Sequence, residues 1–101
     1  MDLNNSDLYK KHDQLMELKR QSYDQLYRRC LRTIKLTADV GELICFFEVP
    51  SFTFGSSYPI INIASCANYI MNKLAKSNRN IRTAFFEPNL IFIDWRRDDD
   101  I

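Results

Sequence analysis

The chain is poor in glycine and histidine, and each shortage excludes a class of chemical site. Two glycines in 101 residues leave no glycine-rich loop of the kind that cradles a phosphate. One histidine and three widely spaced cysteines without a CxxC pair give no zinc site with standard ligand spacing. His12 and Cys30 stand about 27 Å apart along one predicted helix, so they cannot act together within one chain. We therefore expect that the protein is not an enzyme and that it binds no cofactor, no metal and no small-molecule substrate.

Long apolar runs are also missing. No run approaches the roughly 20 residues of a membrane-spanning helix, and residues 1–30 lack the apolar segment of a secretory signal. A composition of 46% hydrophobic and 27% charged residues is typical of one folded domain. Each cysteine falls on the apolar side of its own segment, which favours buried free thiols in a reducing, intracellular setting. We expect no membrane partner.

One long amphipathic helix is predicted for residues 7–36, which contain neither glycine nor proline. We expect Ser6 or Asp7 to cap it and residues 38–41 to end it. At helical spacing eight of its apolar side chains form one stripe. The stripe contains Leu8, Leu15, Met16, Tyr23, Leu26, Tyr27, Cys30 and Ile34. A helix of about 45 Å exceeds a compact domain whose radius of gyration is roughly 13 Å, so part of it must project, bend or pack against another chain.

The remaining residues predict three strands and a second helix. Pro50 ends the first strand, Asn62 is a good helix cap, and Pro88-Asn89 supplies a hairpin turn. The predicted segments are a strand over 42–49, a loop over 50–61, a helix from about 62 to 77, and a hairpin of strands 81–87 and 90–95.

The order α–β–α–β–β predicts an α+β fold with a three-stranded antiparallel sheet and a helix laid on one sheet face. We expect a flexible N-terminus over 1–6, a single domain over 7–95 and a charged C-terminal tail over 96–101. A winged-helix-like variant is an alternative because the hairpin follows the second helix, although residues 50–61 leave little room for the additional helix of such folds.

The combination of these elements resembles a family of small uncharacterised proteins of nucleocytoplasmic large DNA viruses. The resemblance covers residues 10–95 and rests on the basic first helix and four further features. These are Glu48-Val49-Pro50 at the end of a strand, the loop from Gly55 to Pro59, Cys66 in the second helix, and Pro88-Asn89 before an apolar strand ending at Trp95. Two departures are Ser56-Ser57-Tyr58 within the loop and Asp94 in place of a small polar residue. The resemblance implies a viral origin, with the host cytoplasm or the virion as the setting, and no particular activity.

The first functional hypothesis is a protein-interaction or structural module that binds a protein partner or forms a homo-oligomer. The long apolar stripe exceeds what three short strands and one helix can cover. Aromatic side chains are enriched at interfaces, which makes several of them candidate anchors. The candidates are Tyr23, Tyr27, Phe52, Phe54 and Tyr58. For Phe52 and Phe54, the alternative is that they close one end of the core.

The second hypothesis is nucleic-acid binding. The net charge is +1, yet residues 9–35 contain eight basic and three acidic side chains. The basic side chains lie opposite the apolar stripe, where they could neutralise phosphates or bind an acidic partner. They are Arg28, Arg29, Arg32 and Lys35, with Lys10 and Lys11 nearer the N-terminus. The alternative is a solvated helix face without a ligand.

Overall fold

A computed structural model of the chain describes residues 4–51 and 62–100. It contains two α-helices and three strands in the predicted order, so the α+β fold class is confirmed. The elements are α1 (Asn5–Asp39), β1 (Ile44–Glu48), α2 (Ile63–Ser77), β2 (Arg82–Phe86), β3 (Leu90–Asp94) and a short 3-10 helix (Asp98–Asp100).

Helix α1 begins at Asn5, two residues before the predicted start, because its cap is Asn4 rather than Ser6 or Asp7. The Asn4 side chain accepts a hydrogen bond from the Asp7 backbone N–H at 2.9 Å, which satisfies one of the free donors of the first turn. The Ser6 hydroxyl donates to the same side-chain oxygen at 2.8 Å. The helix ends as predicted, with Gly41 in the left-handed region at φ +89° just beyond it.

The three strands form one antiparallel sheet in the order β1-β3-β2. Cys45 pairs with Ile93 and Phe47 with Ile91, so their side chains lie on the same face. The hairpin of β2 and β3 is confirmed, and its turn contains a cis peptide bond before Pro88. Because side chains alternate along a strand, each strand presents one set to the helices and the other set away from them.

The core lies between the sheet and the two helices. Its central side chains are fully buried, which contributes about 1.5–3 kcal/mol for each leucine or isoleucine. They are Leu26 from α1, Ile70 and Leu74 from α2, and Ile91 and Ile93 from β3. All three cysteines are buried and free, as the sequence predicted.

The molecule is elongated because of α1. It measures 67 × 26 × 23 Å and has a radius of gyration of 17.0 Å, well above the roughly 13 Å of a compact chain of this length. Thirty-five helical residues extend about 52 Å, twice the second-largest dimension of the molecule, which is 26 Å. Of the three alternatives expected for the long helix, which were projecting, bending or packing against another chain, the structure shows the first.

The winged-helix alternative requires a further helix between β1 and α2. The described residues hold two α-helices, and residues 52–61, where a further helix would fall, lie outside them. What the structure shows is therefore an open three-stranded sheet with two helices on one face.

Candidate interaction surfaces

The N-terminal half of α1, residues 5–21, is the first candidate surface and is called the α1 arm below. None of its side chains is buried, whereas the packed half, residues 22–39, contributes Tyr23, Leu26 and Cys30 to the core. The apolar stripe runs through both halves in the same phase. In the arm its members Leu8 and Met16 are 54% and 51% exposed.

Local contacts support the helical conformation of the arm without covering its stripe. The Arg20 guanidinium lies 2.7 Å from Glu17 and 3.5 Å from Asp24, one helical turn away on either side. The hydrogen bond from Arg20 lowers the pKa of the Glu17 carboxyl. A shallow groove lined by Met16, Tyr23 and Tyr69 lies where the arm leaves the domain, so the exposed stripe continues directly into the domain surface.

The aromatic anchors predicted on α1 are used inside the chain. Tyr23 is 6% exposed, and its ring centroid lies 5.7 Å from that of Tyr69 on α2. Tyr27 is partly buried, with the Lys73 ammonium 5.3 Å from its centroid. Tyr23 is therefore not available as an exposed contact for a partner, because α2 covers this part of the stripe. This corrects the prediction made from the sequence.

A polar contact beside these rings fastens α1 to α2. The Tyr69 hydroxyl donates a hydrogen bond to the Asp24 carboxylate, and the Lys73 ammonium lies 3.1 Å from the same oxygen. These two donors, the hydroxyl first, lower the pKa of Asp24. The contact between α1 and α2, called the junction below, therefore holds the packed half of α1 in place by polar contacts as well as by burial.

The second candidate surface is the face of the sheet that points away from the helices, called the outer sheet face. The strand registers place its side chains in three rows across the sheet. The rows are Ile44–Asp94–Arg82, Phe46–Phe92–Ala84 and Glu48–Leu90–Phe86. Phe46 and Phe86 are 54% and 52% exposed. Their ring centroids lie 5.3 Å and 6.4 Å from that of Phe92, so three phenylalanines form one aromatic cluster.

Charged groups stand at two ends of the outer sheet face. Asp94 is 4% exposed and accepts hydrogen bonds from the Arg96 backbone and guanidinium, both at 2.9 Å, and from Arg82 at 3.3 Å. The Arg96 donors first, and Arg82 after them, hold the pKa of Asp94 well below its ordinary value. Glu48, at the other end, accepts a hydrogen bond from the Asn89 amide at 3.1 Å.

The basic side chains of α1 divide into two groups. Arg28, Arg29, Arg32 and Lys35 are exposed within two helical turns of one another, and no acidic residue lies between positions 25 and 38. None of the four takes part in an ion pair with another described residue. Lys10 and Lys11 are exposed on the arm, about 27 Å and about 26 Å along the helix from Arg28, the nearest of them. The predicted basic surface is therefore a cluster of four.

The loop anchors Phe52, Phe54 and Tyr58 lie outside the described residues. Two strand aromatics that the structure exposes, Phe46 and Phe86, were missed by sequence reasoning. The alternation along β1 could have indicated the exposure of Phe46. Phe46 lies on the same face of the strand as Glu48 and on the opposite face from Cys45 and Phe47.

Among residues 4–51 and 62–100, no group of three or more histidine, cysteine or acidic side chains is placed to hold a metal ion. No helix in that part of the chain combines the length and apolarity needed to cross a membrane. Burial raises the pKa of Cys30 and of Cys66 to about 12, so neither is a reactive thiolate at neutral pH.

These features define a small α+β protein with an extended first helix and an open sheet. The chain belongs to a family of unknown function, DUF5759, whose model matches residues 3–75 and thus includes the α1 arm, β1 and most of α2. It is 61% identical over 97 residues to "Uncharacterized protein R447" of Acanthamoeba polyphaga mimivirus, covering 96% of this chain and 79% of that relative. No solved structure matches. The resemblance to proteins of large DNA viruses is confirmed.

Proposed function

We propose that this viral protein is a non-enzymatic interaction module that assembles with copies of itself through the α1 arm. The observation that carries the proposal is the continuity of one apolar stripe, which is buried at Leu26 and Cys30 in the packed half of α1 and about half exposed at Leu8 and Met16 in the arm, with Leu15 partly buried. The setting we propose is intracellular, in the host cytoplasm or the virion, and the three buried free thiols support it.

A helical arm of this length gains little stability while its apolar stripe stays exposed to solvent. Its 17 residues extend about 25 Å, and isolated helices of about 12–15 residues are marginal in water because their stability comes largely from packing. Pairing two arms would bury Leu8, Leu15 and Met16 of each copy. Full burial of such a side chain contributes about 1.5–3 kcal/mol, and pairing would add the part of this that the single chain leaves exposed.

The charge of the arm favours a second copy over a strongly charged partner. Residues 5–21 contain four basic side chains and three acidic ones, so the arm carries a net charge of +1. Two such arms repel each other little, and neither offers a continuous basic surface to a polyanion. An apolar contact between arms should also persist at high salt, because screening weakens charge interactions between exposed groups far more than apolar burial.

Light scattering on the purified chain at about 50 and about 500 mM salt tests the proposal. We expect an oligomer at both salts, and a mass at least halved by Leu15→Glu, which places a charge in the stripe. Gln14→Glu is the matched control, since it adds the same charge on the opposite side of the arm. A wild-type mass of 12.0 kDa at every concentration, or equal masses for the two variants, would overturn the proposal.

A second candidate function is nucleic-acid binding through Arg28, Arg29, Arg32 and Lys35. It is favoured by their clustering and by the lack of ion pairs to them among the described residues. Four neutralised phosphates predict a slope of roughly −3.6 in log K against log salt. Replacing the three arginines with alanine should reduce this slope by about 3, and Lys76→Ala on α2 should leave it unchanged. Binding of a mixed-sequence duplex, measured by fluorescence anisotropy, decides the matter; a slope near zero would remove this candidate.

A further inference from the structure

We propose that the outer sheet face is a second self-association surface, which binds the same face of another copy. The inference goes beyond the proposed function and does not depend on it, because the observations concern β1, β2 and β3 rather than α1. Six of the nine outward side chains are apolar, and Phe46 and Phe86 both lie against Phe92 at the centre of the face.

Two sheets stack stably when both present apolar side chains over the same area. Stacked sheets lie about 10 Å apart, with their side chains interdigitated and their strands either aligned or crossed at about 90°. Phe46, Phe86 and Phe92 are large enough to fill such a space from each side. Their exposure in a single chain leaves a patch of the kind that marks an interface.

The placement of charge on this face suits a second copy. Arg82 lies at one end of β2 and Glu48 at the other end of β1, so the two occupy diagonally opposite corners of the face. A two-fold axis along the other diagonal, between Ile44 and Phe86, brings each Arg82 over the Glu48 of the other copy. The face is then self-complementary in charge and in apolarity, as an isologous contact requires.

The same charges argue against a polyanion on this face. Arg82 and Arg96 are balanced by Asp94 and Glu48, and the Asp94 carboxylate already accepts hydrogen bonds from both arginines. The nine side chains of the face carry a net charge of −1, or zero when Arg96 beside them is included, whereas nucleic-acid surfaces are strongly positive. Aromatic rings alone would hold single-stranded bases weakly.

The size of the face sets the strength of the contact. Three strands of five residues cover roughly 14 by 17 Å, or about 240 Å² on each copy, which is well below the roughly 800 Å² per partner of a standard specific interface. We therefore expect a weak, transient contact for this surface alone, with a dissociation constant no tighter than about micromolar. Together with paired arms, it gives each copy two distinct two-fold contacts, and the assembly becomes a tetramer or an open chain.

A two-by-two set of variants tests this inference separately from the arm. Phe46→Glu blocks the outer sheet face and Leu15→Glu blocks the arm; Asn72→Glu, on the exposed side of α2, is the control. By sedimentation velocity we expect a tetramer or larger species for the wild type and the control. Each single variant should give a dimer, and the double variant a 12.0 kDa monomer.

Each failure has its own signature. If the outer sheet face does not self-associate, Leu15→Glu gives a monomer and Phe46→Glu leaves the wild-type mass unchanged, which overturns this inference alone. If the arm does not pair, Phe46→Glu gives a monomer and Leu15→Glu leaves the mass unchanged, which overturns the proposed function alone. Circular dichroism of each variant must show a native spectrum, since Phe46 is exposed and its replacement should not unfold the chain.

The corner charges give a finer test in the Leu15→Glu background. Glu48→Lys would place a cation opposite Arg82 of the other copy and should weaken the remaining dimer roughly 3- to 10-fold. No weakening would overturn the proposed orientation. Binding of a single-stranded oligonucleotide that Phe46→Glu abolishes, without any dimer, would overturn the second copy as the occupant.

Discussion

The two halves of α1 carry the same apolar stripe and differ in what covers it. In the packed half, Leu26 and Cys30 are fully buried beneath the sheet and α2; in the arm, Leu8 and Met16 remain about half exposed. The spacing of apolar residues is therefore evidence that a helix has a side to bury, and says nothing of whether the cover belongs to the same chain. The two faces of the sheet differ in the same way: Ile91 and Ile93 are buried on the inner face, and Phe46 is exposed on the outer sheet face.

The largest difference between the two halves should appear when a stripe leucine is truncated. Leu26→Ala removes a fully buried side chain and leaves a cavity, so we expect a loss of about 2–5 kcal/mol in the free energy of unfolding. Leu8→Ala, the matched change in the arm, should cost less than about 0.5 kcal/mol in dilute solution. Urea unfolding followed by circular dichroism measures both; equal losses would mean that the two halves do not differ.

A smaller effect is expected at the junction of α1 and α2. Tyr69→Phe removes the hydroxyl that donates to Asp24, a partly buried carboxylate, and should cost about 1 kcal/mol. Tyr9→Phe makes the same chemical change on the exposed arm and should leave the unfolding free energy unchanged. An equal effect at both sites would show that the Tyr69–Asp24 contact does not stabilise the packing of α1 against α2.

The junction also predicts a pH dependence. Because the folded state lowers the pKa of Asp24, its contribution to stability is complete above the pKa of the unfolded chain. That contribution is lost as the pH falls towards the lowered folded value. Between neutral pH and about pH 3, the wild type should therefore lose more unfolding free energy than Tyr69→Phe. A steeper loss in the variant would contradict the assignment.

The smallest effect is expected from Arg20→Ala in the arm. The pairs of Arg20 with Glu17 and Asp24 are largely exposed, and exposed ion pairs contribute little. We expect no resolved change in the thermal midpoint of the diluted chain. A clear decrease would show that the arm is packed within the single chain, against the proposed distinction between the halves.

Much of the fold follows from local signals in the sequence. Asn62 caps α2 by accepting from the Ser65 backbone N–H at 2.9 Å, and the turn at Pro88-Asn89 joins β2 to β3. The start of α1 was harder to predict, because Asn4, Ser6 and Asp7 are all good caps within one turn. Which of the three caps the helix depends on the backbone conformation, and the residue types alone do not determine it.

The interaction surfaces were less predictable for a related reason. Tyr23 belongs to the stripe, and its ring is covered because α2 happens to lie against it. Phe46 is as apolar as its neighbour Phe47, and the two differ in which face of the sheet they occupy. A sequence specifies the phase of such residues, while the choice between the covered and the open face depends on long-range packing.

The most direct test of self-association through the arm is hydrogen exchange at two protein concentrations. Backbone amides of residues 5–21 should exchange rapidly in dilute solution and become protected at high concentration, while those of residues 22–39 remain protected in both. This result would show that the arm acquires its cover from another copy. Arm amides that exchange equally fast at both concentrations would contradict the account.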